Sequence, residues 1–288
     1  MTATFDRRLT PARPGLAAAS LRGLVDAPRY VEGRPMRVIE ASAPLRREPA
    51  ADAPLETEAL FGEAATVYDD SEGWAWVQLE RDRYVGYLPF IALGAPAETT
   101  HRVAALRTHA YPGPSIKLAP RMALSLGARL TIVRREGDFA VTPEGLWLWA
   151  RHLADASSRE PDFVAVAELF LHAPYLWGGR TSEGIDCSGL VQAGLTAAGV
   201  AAQRDSDLLE ASSGAPIPPD SPLARGDLVF WKGHVGVLRD AGTLLHANGW
   251  HMAVVSEPLA EARARIAAGG GGDVTGIRRP PSCAPAAA

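Results

Sequence analysis

Turn-forming residues break this chain into short pieces, with 28 glycines and 23 prolines spread through 288 residues. That is about 18% of the chain against roughly 12% in an average protein, a density that favours many turns and short strands over a helical bundle. With 47% hydrophobic and 22% charged residues the chain can still bury a substantial core. Disordered, collagen-like and fibrous architectures are therefore excluded, and one to three domains fit. A formal charge of −4 and a pI near 6.0 supply no electrostatic footprint for a phosphate backbone or an anionic lipid surface. Neither a nucleic-acid nor a membrane partner is expected.

The texture changes along the chain. Residues 1–35, rich in Ala, Arg and Pro, read as a surface-packed leader with one short helix over Leu16–Val25. Residues 36–95 turn to short β-type runs, MRVIEASAPL, EAATVYDD, WAWVQLE and RYVGYLPFIAL, separated by turn residues. The same grammar recurs over 96–155. Val38, Pro49, Gly62 and Thr66-Val67 are matched by Val103, Pro114, Gly127 and Thr131-Ile132 at a constant offset of 65 residues, which predicts a duplicated small β-barrel. Residues 156–288 change again. DFVAVAELFLHAP predicts a helix from Asp162 that stops at Pro174, and a glycine-rich loop leads into CSGLVQAGLTAAG, a helix that Gly199 is placed to end. DLVFW, HVGVLRD and TLLHAN follow as strands, then a loop at Gly269 to Gly272 and a last strand in VTGIRR. This part is α+β, helices first and an antiparallel sheet after them.

Arg7 and Arg8 are not followed by the apolar run of about 7 to 15 residues that a signal peptide needs, and no apolar stretch reaches about 18 residues. The cytoplasm is the expected compartment, and thiols stay reduced there. The two cysteines, Cys187 and Cys283, are too few for a disulfide scaffold and form no Cys-x-x-Cys pair. Cys283, in the tail PPSCAPAAA, has no helix start or histidine near it and reads as inert. Cys187 opens a predicted helix, at the positive end of its dipole, where a thiolate is stabilised and a nucleophile is well placed.

A nucleophile needs a base, and the sequence has 7 histidines to supply one. His234 opens the strand HVGVLRD and His246 lies in TLLHAN. If Asp240-Ala241-Gly242 is a three-residue turn, Arg239 faces Thr243 and His246 faces Gly236, so both imidazoles share one face as diagonal neighbours. A slip of one residue would put them on opposite faces. In the expected register Cys187 is the nucleophile, His234 its base and His246 the group that orients His234. A zinc site of Cys187, His234, His246 and His251 is possible by residue type but lacks any compact ligand pair, and no metal or other cofactor is expected. Neither a phosphate loop nor a serine elbow is present.

The segment PYLWGGRTSEGIDCSGL (Pro174 to Leu190) resembles the nucleophile motif of the NlpC/P60 cysteine peptidases. GDLVFWKGHVGVL resembles the histidine motif of that family, and LLHANG its third polar position. Residues 36–155 resemble a tandem pair of bacterial SH3-like domains, most clearly in GWAWVQLERDRYVGYL. The resemblance implies a multidomain chain, two small SH3-like β-barrels (36–95 and 96–155) followed by an α+β papain-like catalytic domain (156–288). The implied activity is cleavage of the bond between γ-D-Glu and an L-diamino acid, in murein-derived tri- or tetrapeptides that carry a free N-terminal L-Ala. It further implies that Tyr175, Asp186, Ser188, Asp205 and Ser206 line the substrate site, and that Tyr84 closes over the peptide's amine with one of Glu56, Glu58 or Glu63. Two other readings stay open: a wall-binding protein with a degenerate catalytic domain, and an amidase or acyltransferase.

Overall fold

A computed structural model describes residues 5–218 and 221–281, so Cys283 lies outside the described residues. The chain separates into two compact units, Met1–Ser157 and Ser158–Ala288.

The first unit opens with strands where a helix was expected. Ala12–Arg13 and Leu16–Ala18 form a hairpin turned at Pro14-Gly15, and Leu16–Ala18 then pairs in parallel with Tyr30–Val31. Leu16, Ala17 and Ala18 are all buried, which a strand paired on both edges achieves and a one-sided surface helix does not. Of the helix expected over Leu16–Val25 only one 3-10 turn, Ala19–Leu21, is present. The segment is held against the module that follows. Leu9 packs against the first core, and the carbonyls of Arg8 and Leu9 accept hydrogen bonds from the Val85 N–H and the Gln78 side chain.

Behind it stands a seven-stranded antiparallel sheet in the order Leu93–Gly94, Arg34–Val38, Ala64–Ser71, Trp74–Leu79, Val85–Pro89, Ser42–Arg46, Leu55–Leu60. Val38, Leu45, Val67, Val77, Leu79 and Leu88 fill its interior. A five-stranded and a three-stranded sheet follow over 101–155, enclosing Val103, Ala110, Leu124, Leu130 and Leu148. The two modules repeat one another in hydrogen bonds at the 65-residue offset. The Gly62 N–H donates to Val38 O (2.8 Å), and the Gly127 N–H to Val103 O (3.0 Å). Both glycines have positive φ, +76° and +91°, at the same turn. Ser42, Ala43, Pro44 and Leu45 pair with Leu60, Ala59, Glu58 and Thr57, and 65 residues on Arg107, Thr108, His109 and Ala110 pair with Ser125, Leu124, Ala123 and Met122.

The second unit begins at helix α1, Phe163–Glu168, whose N-cap Asp162 accepts from the Val164 and Ala165 N–H groups. The helix ends well before Pro174, where the sequence placed its stop. Residues 172–175 instead hydrogen bond along 252–254: His172 N–H to Val254 O, Val254 N–H to Ala173 O, and Tyr175 N–H to Met252 O. These backbone groups take extended partners, and His172 turns the chain with φ +70°. Helix α2, Cys187–Ala197, buries Leu190, Val191 and Leu195 against α1 and the sheet. Its C-cap is Ala198, and Gly199 follows at φ +78°. Helix α3 is Ser206–Ser212 and α4 is Leu259–Ala268. The sheet is antiparallel, in the order Ala215–Pro216, Gly276–Arg279, Leu228–Trp231, His234–Leu238, Thr243–Asn248, Ala253–Pro258. Among the described residues no helix is long and apolar enough to cross a membrane.

Candidate active site

Asp186 builds the start of α2. One carboxylate oxygen caps the helix through the Gly189 N–H (2.7 Å) and the other accepts from the Gly178 N–H (2.9 Å). Arg204, 1% exposed, grips both oxygens at 2.9 and 2.6 Å and donates to Ser188 Oγ at 2.7 Å. Asp186 and Ser188, which the sequence assigned to substrate, are thus tied inward to a buried guanidinium. That residue escaped the sequence reading although it directly precedes Asp205 in QRDSD. Asp205 sits at the N-cap position of α3 without a side-chain capping hydrogen bond, and Ser206 is the first residue of that helix.

Cys187 is the first residue of α2 and is buried. The Val235 and Ser188 N–H groups are directed at its sulfur. The α2 start therefore lies against the beginning of the His234–Leu238 strand. Burial pushes the thiol up to about 12, the Asp186 charge adds to this, and the two N–H groups oppose it. Here the helix-dipole expectation fails: in a dry site the loss of hydration outweighs the dipole, and the resting sulfur is a neutral thiol. Tyr175 is close enough to feel the same sulfur, and its phenol is likewise pushed up to about 12, by burial first and then by Cys187.

The His234–Leu238 and Thr243–Asn248 strands pair Val237 with Leu245 and Leu238 with Leu244, the expected register. A Cβ on Gly236 would stand 2.7 Å from the Leu244 side chain and 3.1 Å from the His246 Cβ, so only glycine leaves room opposite the second imidazole. His234 Nε2 lies 2.8 Å from His246 Nδ1, with ring centroids 5.0 Å apart. Burial, and then the neighbouring His246, push His234 down to about 3, so it rests as a neutral imidazole able to accept a proton. The second nitrogen of His246 is 2.6 Å from Glu257 Oε1, and Arg265 holds that carboxylate through two hydrogen bonds of 2.7 and 2.6 Å. Asn248 Nδ2 is 3.0 Å from the same His246 nitrogen. Glu257 and Arg265 were not anticipated, because the sequence reading had no strand over 253–258. With His246 paired to Val255, Glu257 is its diagonal neighbour. A zinc set of Cys187, His234, His246 and His251 does not converge: His234 and His246 point nitrogens at each other, and His251 Nδ1 meets Asn248 Oδ1 at 3.1 Å.

Tyr84 belongs to the first unit, where its ring is 1% exposed within the core and its hydroxyl donates to Glu56 Oε2 at 3.3 Å. Of the three carboxylates considered with it, Glu58 accepts from Ser42, while Glu63 accepts the Leu60 N–H and pairs with Arg81.

A buried thiol at a helix start, packed against a strand that opens with a neutral imidazole held by a second one, is an arrangement suited to thiol-based nucleophilic catalysis. Residues 172–265 match the NlpC/P60 family, and residues 45–93 match the bacterial dipeptidyl-peptidase Sh3 domain. The chain is thus a peptidase that carries an NlpC/P60 domain and, ahead of it in sequence, an SH3 domain. It is similar to a gamma-D-glutamyl-L-lysine dipeptidyl-peptidase of Bacillus cereus, 26% identical over 238 residues and 71% of each chain. The protein of the same name from Bacillus subtilis is 27% identical over 217 residues, 67% of this chain and 72% of that one. A crystal structure of an NlpC/P60 family protein from Bacillus cereus shares the fold with a TM-score of 0.73 at 22% identity, over 85% of this chain and 99% of that one.

Proposed function

We propose that this enzyme hydrolyses the bond between γ-D-Glu and an L-diamino acid in murein-derived tri- and tetrapeptides with a free N-terminal L-Ala, in the recycling of cell-wall peptides in the cytoplasm. The observation that carries this reading is that two gamma-D-glutamyl-L-lysine dipeptidyl-peptidases align over about two thirds or more of the chain, well beyond the catalytic motifs. The shared register of the two amino-terminal modules supports a tandem SH3-like pair over 36–95 and 96–155 ahead of a papain-like domain over 156–288.

In this reading Cys187 attacks the γ-carbonyl as His234 takes the thiol proton, forming an S–C bond. The C–N bond then breaks, and His234 returns the proton to the departing amine of the diamino acid. Water, deprotonated by the same imidazole, cleaves the thioester and restores the thiol. The Ser188 and Val235 N–H groups near the sulfur are suited to stabilise the oxyanion. Tyr175, Asp205 and Ser206 are assigned to the substrate, the Asp205 carboxylate to its ammonium. Asp186 and Ser188 shape the site through Arg204 as well as by direct contact.

The test is incubation with L-Ala-γ-D-Glu-diaminopimelate, its L-Lys counterpart and their N-acetylated forms, followed by mass spectrometry. Release of L-Ala-γ-D-Glu from the free-amine peptides alone is expected. No cleavage would refute the assignment, and equal cleavage of acetylated peptides would refute the free-amine requirement.

A further inference from the structure

A cysteine–histidine pair works only if the base nitrogen facing the thiol is unprotonated. In a neutral imidazole, which nitrogen carries the proton is set by what the other one meets. In this molecule that choice can be traced outward, one hydrogen bond at a time.

We infer that Glu257, gripped by Arg265, is a positioning residue that sets the protonation pattern of both histidines and thereby leaves Nδ1 of His234 as the base. Arg265 meets both Glu257 oxygens, at 2.7 and 2.6 Å, so Glu257 is an ionised acceptor with no proton to give. At 2.6 Å from Oε1, His246 Nε2 must therefore donate, since a bare lone pair aimed at a carboxylate at that distance would be repelled. Asn248 Nδ2 competes for the same nitrogen at 3.0 Å as a donor, because the amide oxygen is committed to the His251 N–H at 2.8 Å. The shorter, charge-assisted contact prevails, and the proton stays on His246 Nε2. His246 Nδ1 is then bare and accepts the proton of His234 Nε2 across 2.8 Å. One free nitrogen remains on His234, Nδ1, for the thiol.

Without Glu257 the Asn248 amide becomes the stronger influence. Its N–H would donate to His246 Nε2, the His246 proton would move to Nδ1, and His234 Nε2 would become the acceptor. The remaining proton of His234 would sit on Nδ1, where it blocks uptake from Cys187. Arg265 keeps the carboxylate charged and aimed, and its guanidinium in turn lies 5.9 Å from the exposed Trp250 ring.

This inference rests on the assignment of Cys187 and His234 as nucleophile and base, and its main readout needs no substrate. In protein labelled with nitrogen-15, the imidazole shifts should show both histidines protonated at Nε2 in the native enzyme. They should show proton density at Nδ1 of both in Glu257→Leu. In the stem-peptide assay that variant should lose at least about tenfold in kcat with KM little changed. The loss should stay short of the roughly 10⁴-fold cost of misdirecting the imidazole that itself meets the nucleophile. Glu257→Asp should recover part of the rate. Arg265→Met, at a half-buried position of α4, gives the same test with a smaller loss should Glu257→Leu fail to fold. Unchanged protonation in a folded variant, or an unchanged kcat, overturns the inference. Failure of the native enzyme on stem peptides, with the protonation pattern as described, overturns the substrate assignment alone.

Discussion

At the scale of single residues, water exclusion dominates the site. Cys187 begins a helix, and a helix start alone argues for an easily ionised thiol, but its burial and the Asp186 carboxylate decide the opposite. The alkylation rate of Cys187 by iodoacetamide should accordingly climb through pH 9, and a plateau already reached below pH 7 would contradict a resting neutral thiol. Arg204 is the other residue whose removal is sharply predicted. Arg204→Met strands the buried Asp186 charge at the start of α2, and should cost about 3–5 kcal/mol in urea unfolding. The sequence made the thiol and the two imidazoles readable because each sits at a position set by local rules, a helix start and one hairpin register. Arg204 and Glu257 were not readable. Their partners come from loops and strands whose approach depends on tertiary packing, and an arginine or glutamate in a polar stretch ordinarily faces solvent.

At the scale of elements, α2 is located by close contact as much as by apolar area. A Cβ on Gly194 would fall 2.5 Å from the Phe163 carbonyl oxygen, which belongs to backbone that cannot rotate aside. Gly194→Ala therefore has to push α1 and α2 apart, and should destabilise the enzyme by about 1–3 kcal/mol, despite alanine's better helix propensity. A variant as stable as the native chain by thermal melting would show that the interface yields. Elements that depend on local periodicity, α2 and the strands at Leu228–Trp231, His234–Leu238 and Thr243–Asn248, follow from the sequence. Those that depend on neighbours do not. Leu16–Ala18 becomes a strand because two other strands flank it, and α1 stops early because 172–175 find partners in 252–254.

At the scale of the whole molecule, proton uptake should weaken the fold steadily on the acid side. Burial lowers the pKa of His101, His234 and His246 from the ordinary 6.5, so below that pH the unfolded chain binds protons that the folded one refuses. Stability present near neutrality is then lost as pH falls from about 6.5 towards 3. The carboxyls of Asp162, Glu168 and Glu257, held below their ordinary range against burial by arginine partners, add to the loss only under about pH 4.5. Thermal midpoints measured from pH 7.5 to 4 should fall throughout, with the decline above pH 5 borne by histidine. His234→Gln should flatten that upper part, by at most about 1.4 kcal/mol per pH unit. An unchanged slope would mean that His234 gains its proton as readily in the fold as out of it.

The common register of the two amino-terminal modules also bears on how a newly made chain sorts its own strands. A hairpin half from one module has the backbone pattern to pair with the complementary half of the other, the route by which tandem repeats misassemble. Backbone hydrogen bonds cannot tell the right partner from the wrong one, but side-chain volume can. Leu45 faces Thr57 in one module, whereas Ala110 faces Met122 in the other. An exchanged pair would set Leu45 against Met122 in an overfilled interior, or Ala110 against Thr57 across a void. Divergence at these paired positions disfavours an exchange of strands between the two hairpins.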